Sequence, residues 1–86
     1  MMAGEASVLI FETGDLESCA ATVRQFFVEN KSANTVRVAL STRDRTPLGA
    51  RVWRLGDGNI EVTSRIIAGF IMTQPHGSVT ITTRSD

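Results

Sequence analysis

Few side chains in this sequence can do covalent or acid–base chemistry. There is one histidine, His76, and one cysteine, Cys19. His76 stands in Gln74-Pro75-His76-Gly77, a stretch that reads as a surface turn. A histidine acting as general base needs an orienting carboxylate, and no spacing here points to one. Cys19 falls on the apolar stripe of a predicted helix, where a thiol behaves as a small hydrophobe. A single cysteine excludes an internal disulfide and a cysteine-built zinc site, so no metal centre is expected. Gly56-Asp57-Gly58 has the composition of a glycine-rich phosphate loop. However, Ile60-Glu61-Val62 follows it with strand-like alternation, whereas phosphate loops lead into a helix N-terminus. The stretch is therefore read as a tight hairpin turn. Asp57 and Glu61 do not establish a catalytic pair. No catalytic residue and no cofactor are expected, and the chain reads as non-enzymatic.

Charge offers a different kind of chemistry. Nine basic residues balance nine acidic ones, but unevenly along the chain. Residues 1–31 carry Glu5, Glu12, Asp15, Glu17 and Glu29 against Arg24 and Lys31, a net of −3. Residues 32–86 carry seven arginines against Asp44, Asp57, Glu61 and Asp86, a net of +3. Arg37, Arg43, Arg45, Arg51 and Arg54 fall within 18 residues. Guanidinium groups bind carboxylates and phosphates bidentately. The strip therefore suits an acidic protein or a nucleic acid, although strand alternation alone also accounts for its positions. RNA-binding sheets stack bases on exposed aromatics. With no tyrosine in the chain, only Trp53 is a strand aromatic expected to be exposed, so nucleic acid is the alternative reading. Trp53 could equally cap the edge of the core.

These residues must be positioned by a small scaffold. The 86 residues and 42% apolar composition fit one globular domain over 1–86, with 1–6 as a flexible lead. The longest apolar run, Ile66 to Met72, is far short of a membrane span, and no basic leader precedes it, so a cytoplasmic protein is expected. Ser7 to Glu12 reads as a buried strand. Leu16, Cys19, Ala20, Val23, Phe26 and Phe27 recur at helical spacing, predicting a helix over 15–30 capped by Asp15. Val36, Val38 and Leu40 alternate with Arg37 and Ala39, a half-buried strand over 35–42. A polar loop over 43–49, a strand over 50–55, a turn and a return strand over 60–62 follow. Residues 63–72 are a short helix capped by Thr63 or Ser64, or else a continuing strand. Residues 78–84 alternate as a last strand with Val79 and Ile81 inward. The order β-α-β-β-β-α-β is an α+β two-layer sandwich, its mostly antiparallel sheet covered by one long helix. The first two strands should lie parallel or separated by another strand. Strand 78–84, rich in threonine, is expected at an edge, where it could pair with a second copy as a homodimer.

The stretch VWRLGDGNIEVTSRIIAGFI (52–71) pairs Arg54-Leu55 with a turn ending in Gly58, an alternating Ile60 and Val62, a cap at Thr63, and Ile67 with Ile71. It resembles the middle of the small effector, or coupling, proteins of multicomponent soluble diiron monooxygenases. This is the family of methane monooxygenase component B and the phenol hydroxylase and toluene monooxygenase effectors. LIFETGDL (9–16) is similar to that family's first strand and helix start. The loop over 43–49 is longer than in the family, and a threonine-rich strand stands where its acidic C-terminal portion would be. The resemblance implies a cofactor-free regulatory protein that docks on a larger diiron hydroxylase and tunes its oxygenase activity. Such an effect requires only different affinities for two hydroxylase states. Arg51, Trp53, Arg54, Asp57, Asn59 and Arg65 are the candidate partner contacts, since tryptophan and arginine carry interface energy disproportionately.

Overall fold

Asp15 starts the first helix. Its carboxylate accepts the Ser18 N–H at 2.7 Å, which holds the carboxyl below its usual pKa, and Glu17 sits at the positive end of the helix. Asn30 ends it, its side-chain amide donating to the Phe26 carbonyl at 2.7 Å. The computed structural model describes residues 6–55, 59–74 and 76–85. Within them, β1 spans Ala6–Glu12, α1 Leu16–Glu29, β2 Thr35–Ser41, β3 Pro47–Arg54, α2 Ile60–Ile71 and β4 Ser78–Arg84. The expected lead over 1–6 lies almost wholly outside the described residues, as do Gly56, Asp57 and Gly58.

The fold is α+β, with two helices of similar length in place of one long one. The strand expected over 60–62 is the first turn of α2. Asn59, expected in a hairpin turn, is the helix cap: its side-chain oxygen accepts from Glu61 N–H at 2.8 Å and Val62 N–H at 3.4 Å. Three alternating residues cannot outweigh a cap followed by helical spacing, and Ser64, Ile67, Ala68 and Ile71 form the buried stripe. The element order is thus β-α-β-β-α-β.

The sheet runs β1-β4-β2-β3, and each neighbouring pair is antiparallel. β1 and β2 are therefore parallel and separated by β4, as expected. Strand 78–84 is not an edge. β4 pairs on both sides, with β1 and with β2, so pairing with a second copy through it is closed off. The edges are β1 and β3. Each helix joins an edge strand to an inner one, giving two interlocked split β-α-β units.

The helices cover one face of the sheet. Val36, Val38, Leu40, Val79 and Ile81 meet Cys19, Val23, Phe26, Phe27, Ile67 and Ile71 in the core. Leu16, expected on the same stripe, lies at the first turn of α1 and stays 40% exposed. Two ion pairs tie α1 to α2 on the outside, Arg24–Glu61 at 2.7 Å and Arg65–Glu17 at 3.1 Å. Among the described residues no helix is long and apolar enough to cross a membrane.

Among the described residues one buried side-chain polar group has no partner. The Ser64 hydroxyl is enclosed in the core with no hydrogen bond among the described residues. An unsatisfied buried hydroxyl costs about 1–3 kcal/mol, and alanine is the better helix former. Ser64→Ala is therefore expected to stabilise the fold by about 1 kcal/mol, raising the thermal midpoint by roughly 4–8 °C. A fall in the midpoint would show that the hydroxyl is satisfied in solution.

Candidate protein-binding face

Among the described residues no element covers the opposite face of the sheet. Residues directly across an antiparallel pair share a face, so the register fixes its layout. One row runs Val8, Thr82, Arg37, Val52 from edge to edge, and the next runs Ile10, Thr80, Ala39, Ala50. At one end a row carries Arg84, Thr35 and Arg54, and at the other Glu12, Ser78, Ser41 and Pro47. Val8, Ile10 and Val52 are 58%, 66% and 64% exposed, high for β-branched side chains. The first strand is thus not buried on both sides as expected. Leu9 and Phe11 pack against the core while Val8 and Ile10 face out.

The β2–β3 loop overhangs the Glu12 end. It is a tight hairpin over 42–46, closed by the Thr42 N–H to the Thr46 carbonyl at 2.9 Å and the Arg45 N–H to the Thr42 carbonyl at 3.0 Å. The Asp44 carboxylate accepts from the hydroxyls of Thr42 and Thr46, which keeps its pKa below the usual range. Asp44 is thereby turned to its own loop. Arg43 and Arg45 line a depression of about 410 Å³ with Ser41, Ser78, Thr80 and Ile10, and Glu12 stands at its far side. Among the described residues the ion pairs are the two that tie the helices. Arg37, Arg43, Arg45, Arg54 and Arg84 have none.

Arg45 has φ +71°, the left-handed conformation that this hairpin position ordinarily gives to glycine. Arg45→Gly should therefore raise stability by about 1 kcal/mol, visible as a higher urea midpoint with unchanged slope. A lower midpoint would show that the side chain contributes more than its backbone costs.

The candidate contacts named from sequence do not form one patch. Arg54 lies on the open face, opposite Thr35. Arg51 and Trp53 lie on the helix side. Trp53 is half-buried, edge-to-face with Phe70 at 5.5 Å between centroids, and the Arg51 guanidinium stacks 5.3 Å from the Trp53 ring. Trp53 therefore caps the core edge. Asn59 caps α2, and Arg65 bonds Glu17 through two nitrogens. Asp57 lies outside the described residues. Arg37 to Arg54 is likewise no continuous strip, because Arg51 faces away from Arg37 and Arg54.

Sequence reasoning missed Val8, Ile10 and Arg84 on the open face. The outward alternation Thr80, Thr82, Arg84 was available for the last of these. Cys19 is buried in the core, and His76 is exposed in a turn at φ +66°. Among the described residues no group of three or more His, Cys, Asp and Glu lies within reach of a shared metal ion. The open face presents aliphatic side chains and guanidinium groups together.

No protein-family model and no curated protein matches this chain. The physical character of the open face therefore carries the functional reading.

Proposed function

We propose that this chain is a non-enzymatic regulatory module that docks on a larger protein through the open face of its sheet. The observation that carries the reading is the combination on that face of three exposed β-branched aliphatics with arginines that have no ion-pair partner among the described residues. With Val8, Ile10 and Val52 about three-fifths exposed, each forgoes about 1–2 kcal/mol of burial that a docked partner would recover. Val8 and Ile10 stand on the same face of β1 and Val52 stands across the sheet on β3, and exposed apolar side chains set among polar groups on one face mark an interaction surface.

The partner we propose is the hydroxylase of a multicomponent diiron monooxygenase. This rests on the resemblance of residues 9–16 and 52–71, less its alternating strand and its Thr63 cap, because Ile60, Val62 and Thr63 all lie within α2, which Asn59 caps. A rigid scaffold suits an effector, which needs only to favour one of two hydroxylase states.

The test is a titration of the pure chain into a purified diiron hydroxylase with its reductase. Product formed per reduced nicotinamide consumed should rise and saturate. Ile10→Asp should abolish the rise while leaving the fold intact. No change in rate or coupling, with no calorimetric binding, ends the effector reading.

A further inference from the structure

The geometry points to one occupant for the open face: an acidic, amphipathic α-helix of a partner protein, lying along the strands with carboxylates at both of its ends. This rests on the docking reading above and names the chemistry of what docks.

Width is the first reason. The edge strands lie three strand spacings apart, about 14 Å, and a helix with its side chains is about 10–12 Å across. The inner strands present Thr80, Thr82 and Ala39, with Arg37 rising from β2 beside Thr82, while aliphatics stand on the edges, Val8 and Ile10 on β1 and Val52 on β3. The face is a shallow trough between these edges, crossed by Arg37 towards its Arg84 end.

Length is the second. The row of Arg84 and Arg54 and the row of Glu12 and Ser41 are six residues apart along the strands, about 20 Å. Cations stand at both ends, Arg37, Arg54 and Arg84 at one, Arg43 and Arg45 at the other. A helix covers about 20 Å in roughly 13 residues. Carboxylates in its first and last turns would then meet guanidinium groups at both ends, with aliphatic residues between them over the trough. Planar guanidinium groups bind carboxylates bidentately.

Charge decides against a second copy of this chain. Face-to-face association would bring together five arginines from each copy, opposed by Glu12 and by an Asp44 already satisfied in its own loop. Stacking decides against a nucleic acid. Trp53 and Phe70 pack together on the helix side, Phe26 and Phe27 are buried, and Phe11 packs on the core, so no aromatic faces the trough. Bases would find aliphatics where stacking surfaces are needed.

The Arg43–Arg45 depression sets where that end of the helix enters. Glu12 repels a carboxylate from the β1 side of that end, so the terminal carboxylate enters on the loop side, between Arg43, Arg45 and the Ser41 and Ser78 hydroxyls. Arg45 holds its left-handed backbone at the mouth of that depression.

The test uses fluorescence anisotropy with the full chain and a labelled helical peptide of about 18 residues. Glu pairs occupy its first and last turns, and Leu, Ile and Ala form one face between them. A peptide with Gln for every Glu and a single-stranded oligonucleotide are the comparisons. The expected result is saturable binding at low ionic strength that weakens with salt, and that is roughly tenfold or more weaker for the Gln peptide. Arg37→Gln with Arg84→Gln, and separately Val52→Ser, should each weaken it several-fold with the melting profile unchanged. Equal affinity for the Glu and Gln peptides overturns the inference, as do absence of saturable binding and tighter binding of the oligonucleotide. The two readings fail separately. Improved hydroxylase coupling without peptide binding removes this occupant and keeps the effector. Peptide binding without any effect on a hydroxylase does the reverse.

Discussion

Replacing Gly77 with alanine should lower the thermal midpoint by about 8–24 °C, the equivalent of roughly 2–3 kcal/mol of overpacking in a domain of this size. Gly77 is buried where three chain segments meet. A Cβ there would fall 2.4 Å from the Ser41 carbonyl oxygen, a backbone atom that cannot rotate aside. Ser41 is itself fixed by pairing with Ser78 on one side and Pro47 on the other. On its other flank Gly77 is pinned to the β1–α1 junction. Its carbonyl accepts the Thr13 N–H at 3.0 Å, and its own N–H donates to the Thr13 hydroxyl at 3.0 Å. Relief from the clash therefore means opening the start of β4, the end of β2 or the Thr13 contact. Thr13→Val is the control. It removes the hydroxyl's bonds without adding bulk at Gly77 and should cost about 1 kcal/mol. A Gly77→Ala midpoint within a few degrees of the parent would mean that this junction is looser than described.

Ile81→Ala carries the largest expected penalty, about 3–4 kcal/mol from lost burial and the cavity left behind. Ile81 is fully enclosed at the centre of β4, with Leu9 opposite on β1 and Val38 opposite on β2. Both neighbours sit in hydrogen-bonded strands, so the space cannot close by a small shift. Thr82, the next residue, points to the open face, and Thr82→Ala should change stability by under about 0.5 kcal/mol. Urea denaturation of both variants is the measurement. Similar midpoints for the two would show that the two faces are not distinguished as described.

The parts of this fold legible in the sequence are those where a single periodicity ran long enough to decide itself. Phe26, Phe27 and Val23 at helical spacing behind an aspartate cap could be little but α1. Val36, Val38 and Leu40 could be little but one face of a strand. The start of α2 was not legible, because Ile60-Glu61-Val62 fits alternation as well as a helix and Asn59 serves a turn as readily as a cap. The open face was hidden for a related reason. Ser7 to Glu12 is apolar at consecutive positions, so nothing local says that Leu9 and Phe11 turn inward while Val8 and Ile10 do not. Strand order was beyond reach, since the insertion of β4 between β1 and β2 is a matter of tertiary packing. Trp53 shows the same limit. Its exposure depended on Phe70, 17 residues further along the chain, arriving beside it.

The pairing of β1 with β4 bears on how the molecule is made. Ala6 stands opposite Arg84, so the sheet's outermost N-terminal strand has no neighbour until residues 78–84 have left the ribosome. Folding must wait on that late segment, and during synthesis the apolar stretch from Val8 to Phe11 is available to chaperones. Because Ala6 and Arg84 are paired, a short linker joining the end of β4 to the start of β1, with the chain opened in the 42–46 hairpin, should give a permuted domain that keeps the sheet and brings these two strands together early.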